Sequence, residues 1–501
     1  MTTAQHPTPH QPTQATPGIE LTGTGAHLRS TTVVVPAALL AQLEAACATN
    51  TDLVVRAETS RDWWPLAMHW ALAGDAPQVA AAVCTPRSTA EVAAVLAACN
   101  EARVPVTAAG GRSGVCGASV PVFGGVVLDL TQLAGVVAVD EVSGVVEVLP
   151  GTFGPDLEAV LATHGVSVGH FPQSFDIATV GGWVACRGAG QFSTRYGKIE
   201  DMVVGLEVVL ADGSVVRTGG APAAAAGPDL NQVFIGSEGT LGIVTRVWLR
   251  THPLPAVQRM NAYAFATFEA GIEACRRIMH AGATPAVLRL YDAVESQRGQ
   301  GGDGTQCMLL VLDEGHAAIV DATMGIVAEA CTDASELGPE RVERWMHHRN
   351  DTSALQGLTR KGFVVDTLEI AAPWRELPGI FDAVRAAMLA VPHARASTCH
   401  LSHSYSDGAC LYFTFAATPP ADDVEATYVA MWDAGQRAVL AAGGNLSHHH
   451  GVGLNRNRFM AEALGSGMAV LDGLKRTLDP SGILNPGKLG LTHPFGAVNW
   501  P

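Results

Sequence analysis

Residues 104–117, Val-Pro-Val-Thr-Ala-Ala-Gly-Gly-Arg-Ser-Gly-Val-Cys-Gly, read as a buried strand that runs directly into a glycine-dense turn. Glycines there let successive backbone N–H groups converge on a pyrophosphate, because side chains would block the approach and restrict φ. The spacing is neither Gly-x-Gly-x-x-Gly nor the Gly-Lys-Ser/Thr of a nucleotide-triphosphate loop, so the common dinucleotide and ATP readings do not apply. Alone, such a turn is as readily structural as functional. Two more segments tip the balance: Pro172-Gln-Ser-Phe-Asp-Ile-Ala-Thr-Val-Gly-Gly-Trp-Val-Ala-Cys-Arg-Gly-Ala-Gly190 and Gly236-Ser-Glu-Gly-Thr-Leu-Gly-Ile-Val-Thr245. Each lies beside a buried strand, and coincidence does not account for three of them.

Working outward, residues 80–254 alternate short Val/Ile/Leu strands with helices. Pro86-Arg-Ser-Thr-Ala-Glu opens a helix with a Ser/Thr cap, and Val92, Val95, Leu96 and Cys99 share one face of it. Residues 126–130 and 144–149 read as strands, and 156–164 as a helix stopped by Gly165. Residues 203–210 and 215–217 flank Ala-Asp-Gly-Ser, a hairpin turn. Between 254 and 440, strand-like pieces (286–291, 306–312, 409–416) alternate with Ala-rich helices (268–281, 316–331, 377–390), which predicts an α+β lobe with an antiparallel sheet. From Gly443 the chain reads as loop, then one helix over 458–478, then the turn Asp479-Pro-Ser-Gly-Ile-Leu-Asn-Pro-Gly-Lys.

The 501 residues exceed one compact core, and 48% hydrophobic content suffices for several. A net charge of -16 without a basic run argues against a nucleic-acid partner. The 10 cysteines lack CxxC pairs and read as free thiols of a cytoplasmic protein. Apolar runs fall short of the roughly 20 residues of a membrane span. Residues 1–18, rich in Pro, Thr and Gln, read as a disordered tail rather than a secretory signal.

Other markers carry a family resemblance: Thr179-Val-Gly-Gly-Trp, Ile199-Glu-Asp, Gly227-Pro-Asp-Leu, Gly236-Ser-Glu-Gly-Thr-Leu-Gly and Ser447-His-His-His-Gly-Val-Gly. With these the chain resembles the vanillyl-alcohol-oxidase-type (PCMH-type) FAD-binding superfamily, and within it the alkyldihydroxyacetonephosphate synthases most. The resemblance implies an α+β fold: a two-subdomain FAD-binding domain over 19–253, then a cap domain over 254–440 with an antiparallel sheet. Residues 441–501 would return to the flavin. It also implies that Thr107–Ser113 cradle the FAD pyrophosphate, that Gln173–Thr179 and Cys186–Ala189 line the ring and ribityl chain, and that Glu238–Val244 hold the adenine side. The residues so assigned are Gly110, Gly111, Arg112, Ser113, Gly114, Val115, Ser174, Thr179, Gly181, Gly182, Arg187, Ala189, Glu238, Gly239, Gly242 and Ile243. Arg112 stands where relatives with covalent flavin often carry histidine, so dissociable FAD is expected, with Cys116 and Cys186 read as small buried thiols.

By the same resemblance Tyr405 is the catalytic tyrosine, a candidate acid/base, and His448, His449 and His450 lie beside the flavin, where imidazoles shuttle protons. Arg289 either binds an anionic substrate or pairs with Asp292. No metal is expected: three adjacent histidines cannot all face one ion, although His400 and His403 leave a zinc site open. The pattern departs from the synthases at Leu355, where they keep a phosphate-gripping arginine; Arg349 or Arg360 would substitute if the alignment slips. The flavin machinery is therefore intact, and the arginine of the phosphate grip is missing from its usual place. The expected reaction is oxidation of a small alcohol, hydroxy acid or amine by hydride transfer to flavin N5. The alternatives are a synthase-like exchange through a flavin N5 adduct, and a flavin- or metal-binding accessory protein without turnover. The partner is a small-molecule substrate, with homodimerisation left open.

Overall fold

The computed structural model describes residues 17–500, so the first 16 residues of the expected tail lie outside the described residues. Three sheets organise the chain. The first has four strands in the order Ala48–Asn50, Ala82–Thr85, Val126–Asp129 and Val106–Ala109. Its last three strands are parallel, because the helix Thr89–Ala102 returns the chain across one face between two of them. Ser88 caps that helix by accepting Glu91 N–H at 3.2 Å, and Val92, Val95, Leu96 and Cys99 are its buried face, as the spacing predicts.

The second sheet is antiparallel, ordered Val215–Gly219, Val203–Val209, Ile243–Arg250, Val145–Val148, Val136–Asp140. Two of its strands form the predicted hairpin. The helices Gly154–Thr163 and Val180–Cys186 pack on it through Leu157, Leu161, Val180, Trp183 and Val184.

The third sheet has seven strands, all antiparallel: Ser335–Glu336, Val257–Phe265, Cys307–Gly315, Val287–Tyr291, Ala394–Ser404, Gly408–Ala417 and Val364–Pro373. Side chains alternate across it with period 2. Leu288, Leu290, Cys399, Leu401, Leu411, Phe413, Leu368 and Ile370 face a core shared with the helices Phe268–His280, Leu377–Leu389 and Val424–Ala441. The intervening residues Arg289, His400, Ser402, Tyr412 and Thr367 face the cavity described below. The antiparallel α+β lobe is as expected; the strands 257–265, 364–373 and 394–404 and the helix 424–441 add to the elements legible in the sequence.

The C-terminal helix differs from expectation. Instead of one helix over 458–478, a short helix Met460–Leu464 ends at Gly465 and a second begins at Gly467. Gly465 takes φ 51° and ψ −125°, a region that glycine alone adopts readily, and the chain turns there. Beyond, Asp479 accepts Ile483 and Leu484 N–H at 3.1 and 2.8 Å, and Leu484 bridges to Val106. The chain end thereby returns to the strand that opens the first glycine segment. Among the described residues no helix is long and apolar enough to cross a membrane.

Candidate active site

The three glycine segments converge. Gly110 and Gly111 dock onto the second segment so closely that an added Cβ would fall 2.4 Å from Thr179 Oγ1 and 2.0 Å from Ile177 O. Asn485 Nδ2 links the first and third by donating to Ala118 O and Glu238 O at 3.0 and 2.7 Å. Together they wall one side of a cavity of about 300 Å³, whose opposite side is the polar face of the seven-stranded sheet.

Gly110, Gly111, Arg112, Ser113, Gly114, Val115, Ser174, Thr179, Gly181, Gly182, Ala189, Glu238, Gly239, Gly242 and Ile243 all line this cavity. Arg187 is not among the lining residues. It ends the helix Val180–Cys186 at φ 56°, and its guanidinium turns to Gln232, Ile235 O and Glu200. At Gly114, Gly182 and Gly239 an added Cβ would come no nearer to protein than 3.6, 3.4 and 3.5 Å. What those missing side chains keep clear is the cavity itself, which fits a cradle for a bound group rather than tight packing. Trp63, Pro65 and Met68, from a segment that no motif marks, also line it.

Cys116 and Cys186 lie on the wall as neutral thiols; burial pushes Cys116 well above the usual range and Cys186 up to about 12. Arg112 donates to Glu58 O at 2.5 Å. Glu238, in the third segment, accepts Val452 and Gly453 N–H at 2.6 and 2.9 Å and so clamps the loop that follows the histidine triplet.

The triplet is held by one buried carboxylate. Glu369 Oε1 accepts the backbone N–H groups of His448, His449 and His450 at 3.2, 3.0 and 2.8 Å and the Ser447 hydroxyl at 2.7 Å. Arg456 also bonds both Glu369 oxygens and Leu446 O. Burial alone would raise the Glu369 carboxyl, but the Arg456 charge and the histidines beside it hold it well below the usual range. This device fixes the backbone of the triplet. His450 turns back, its Nδ1 3.2 Å from Glu369 Oε2. His448 Nε2 lies 2.6 Å from the Tyr405 hydroxyl, and His448 Nδ1 lies 2.8 Å from His449 Nδ1.

His449 and His450 line the cavity, whereas His448 and Tyr405 stand behind them. Tyr405 thus meets the cavity through His448 and His449 rather than directly. Burial lowers His403, His448 and His449 well below the ordinary imidazole range, so all three are neutral. Burial likewise raises the Tyr405 phenol above its usual range, so it stays protonated.

His403, also on the wall, takes φ 53° at an irregularity in the ladder and bonds Ser193 Oγ at 2.6 Å. Ligand nitrogens of His403, His448 and His449 lie within 4.8 Å of one another. Adjacent nitrogens on a tetrahedral zinc sit about 3.3 Å apart for Zn–N near 2.0–2.1 Å, so the 2.8 Å contact between His448 and His449 is a hydrogen bond.

Arg289 lines the cavity and is not paired with Asp292, whose oxygens accept Glu295 and Cys399 N–H, both at 2.8 Å. Its Nε donates to Tyr291 Oη at 2.8 Å and its Nη2 to His400 Nε2 at 2.6 Å. Leu355 is on the wall, while Arg349 and Arg360 are off it: Arg349 donates to Gln191 and Arg360 to Gly18 O.

This architecture has close counterparts. Residues 80–219 match the FAD binding domain model, and residues 254–489 match that of the C-terminal domain of FAD linked oxidases. The FAD-linked oxidoreductase YgcU of Escherichia coli O157:H7 is 33% identical over 440 residues, covering 82% of this chain and 89% of its own. Alkyldihydroxyacetonephosphate synthase of Dictyostelium discoideum is 30% identical, with 81% and 72% covered, and the glycolate oxidase subunit GlcD of Bacillus subtilis is 29% identical, with 81% and 88% covered. Among solved structures, an alkyldihydroxyacetonephosphate synthase superposes with TM-score 0.77 at 24% identity, covering 95% of this chain and 89% of that one. p-Cresol methylhydroxylase superposes with 0.75 at 18%, covering 92% and 99%. The fold is therefore of the PCMH type. The chain belongs to the FAD-linked oxidase family and is an FAD-dependent oxidoreductase.

Proposed function

We propose that this enzyme oxidises a small alcohol, hydroxy acid or amine in the cavity between the glycine segments and the seven-stranded sheet. Bound FAD supplies the acceptor for the substrate hydride; the chain's own residues manage the proton. The observation that carries the reading is the run of neutral groups from His449 on the wall, through His448, to Tyr405, with contacts of 2.8 and 2.6 Å. His449 takes the proton from the substrate hydroxyl or amine. The contact between the Nδ1 atoms hands a proton to His448, whose Nε2 faces the Tyr405 hydroxyl. Burial keeps the imidazoles unprotonated and able to accept. The glycine segments orient the cofactor and, with Trp63 and Met68, exclude water.

Arg112 at the first segment and the neutral Cys116 and Cys186 thiols support dissociable FAD, which acid precipitation would release into the supernatant. The absence of any disulfide among the 10 cysteines supports a reducing compartment, and we place the enzyme in the cytoplasm. A phosphate ester is disfavoured as substrate by Leu355 on the wall with Arg349 and Arg360 off it.

Anaerobic incubation with candidate alcohols, hydroxy acids and amines tests the reaction. One class bleaches the flavin spectrum, and His449→Ala slows that bleaching about 10²- to 10⁴-fold, the usual worth of a general base. Substituent exchange without bleaching would replace oxidation by the transfer reaction, and unchanged turnover in both His449→Ala and Tyr405→Phe would remove the proton path.

A further inference from the structure

Cys47 and Cys84 meet where the edge strand of the first sheet begins. Strand Ala48–Asn50 pairs antiparallel with Ala82–Thr85, and Thr49 stands directly opposite Cys84. Cys47, the extended residue just before that strand, is two positions from Thr49 and so shares its face. Cys84 lies in the core that this face forms with the helices Ala37–Ala46 and Thr89–Ala102, and Cys47 packs against the same core from its rim. Diagonal partners on one face of such a pair are neighbours, and here the two thiols are hydrogen-bonded to each other. Two sulfurs already in contact need little backbone movement to join.

Their environments divide the roles. Cys47 and Cys186 are the two cysteines not fully buried, and Cys186 lies on the cavity wall. The Cys84 thiol donates to Cys47 and lowers it to about 7, whereas the bond to Cys47 and burial together push Cys84 up. Thr49 Oγ1 lies 3.6 Å from Cys84 Sγ. Glu91 opposes the Cys47 thiolate, and Cys99, in the same core, is pushed up to about 12 by burial. A partly exposed thiolate beside a protonated thiol is the arrangement of an attacking and a resolving cysteine. The chain between the two belongs to the cavity. Residues 48–83 include Trp63, Pro65 and Met68 of its wall and the Glu58 carbonyl that accepts from Arg112. A bond from Cys47 to Cys84 closes this segment at its base.

We propose that Cys47 and Cys84 form a peroxide-oxidised thiol pair whose disulfide fastens segment 48–83 against the glycine-segment side of the cavity. The oxidant is hydrogen peroxide or an alkyl hydroperoxide. The Cys47 thiolate attacks one peroxide oxygen: an S–O bond forms, the O–O bond breaks, and the departing oxygen takes up a proton. The sulfur is oxidised by two electrons and the peroxide reduced by two. The Cys84 sulfur then attacks Cys47: the S–S bond forms, the S–O bond breaks, and the leaving hydroxide takes the Cys84 proton and departs as water. An added dithiol reverses the change.

The test treats FAD-loaded protein with hydrogen peroxide, blocks remaining thiols with N-ethylmaleimide and digests with trypsin. Peptides 30–56 and 62–87 each hold one cysteine. They are expected joined, short of the mass of two hydrogens, and separate again on adding dithiothreitol. Cys84→Ser stops at the Cys47 sulfenic acid, which dimedone captures. With iodoacetamide at pH 7, Cys84→Ala slows alkylation of Cys47 about threefold, because the thiolate it loses is partly offset by higher nucleophilicity. Cys84→Ser keeps a donor and reacts as fast as the wild type. The oxidised wild type releases its flavin at a higher guanidinium concentration than the reduced protein, and Cys47→Ser shows no such shift. The inference is overturned if the joined peptides are absent, if Cys84→Ala is alkylated as fast as the wild type, or if oxidation leaves the release midpoint where it was.

Discussion

The glycine cradle proposed for FAD and the wall opposite it enclose the same cavity by opposite means. The cradle, built from residues 110–115, 174–189 and 236–245, works by leaving side chains out: Gly110 and Gly111 sit tight against Thr179 and Ile177, while Gly114, Gly182 and Gly239 leave the cavity open. The wall, built from the polar faces of strands 287–291, 394–404 and 408–417 and the loop 447–453, works by crowding buried polar side chains together. There each buried charge or imidazole faces a defined partner, as Glu369 faces Arg456 and His400 faces Glu295. The cradle is therefore vulnerable to added atoms, and the wall to removed charge.

Gly111→Val should produce the largest effect. Its Cβ would overlap Ile177 O, backbone that cannot swing aside, so the first two segments separate. Purified protein is expected to be colourless and not to regain flavin absorbance when FAD is added. Glu369→Gln comes next: it strands Arg456 in the interior and loosens the backbone of the histidine triplet. Breaking a buried pair in this way costs about 3–5 kcal/mol, measurable by denaturant unfolding of the FAD-loaded protein. A loss near the roughly 0–1 kcal/mol of a surface pair would show that the wall does not depend on this charge.

The wall should also govern pH dependence. His400 is pressed by burial to about 4, and His403, His448 and His449 are lowered too. These groups are neutral in the folded protein, whereas an unfolded histidine titrates near 6.5. Protons then favour the unfolded chain below about pH 6.5, and stability falls with pH at up to about 1.4 kcal/mol per pH unit per histidine. For His400 the loss continues down to about 4. Melting temperatures between pH 7 and pH 5 measure the slope, and a flat profile would mean that these imidazoles are not buried as described. The smallest effect is expected outside both surfaces. Ser88→Ala removes the cap of helix Thr89–Ala102, costs about 1 kcal/mol, and leaves FAD content unchanged.

The cradle was legible because its signal is local. Glycine runs beside apolar strands reveal themselves within ten or twenty residues, the 92/95/96/99 face does so within eight, and the Ser88 cap within four. The wall was less legible because its strands look unlike strands. Ala394–Ser404 (ARASTCHLSHS) carries polar residues at successive positions, Ser397 with Thr398 and Ser402 with His403 and Ser404, so only Cys399 and Leu401 keep the hydrophobic alternation that betrays a strand. Gly465, invisible as a breaker within an otherwise helical stretch, took a conformation that divided the last helix.

By itself the sequence displayed the three glycine segments, the antiparallel α+β lobe and the motifs of a family resemblance, and that resemblance implied the cofactor and a set of candidate residues of which all but a few reach one cavity. Glycine runs and apolar periodicity are short-range patterns, which a linear chain displays. Only the tertiary structure decided which way the candidates point. It turned Arg187 away, put Tyr405 behind His448, left Asp292 to cap backbone N–H groups and brought His400 to Arg289 across 111 residues. Those choices depend on which buried donors and acceptors must satisfy one another once water is excluded, a condition that exists only after distant strands have met.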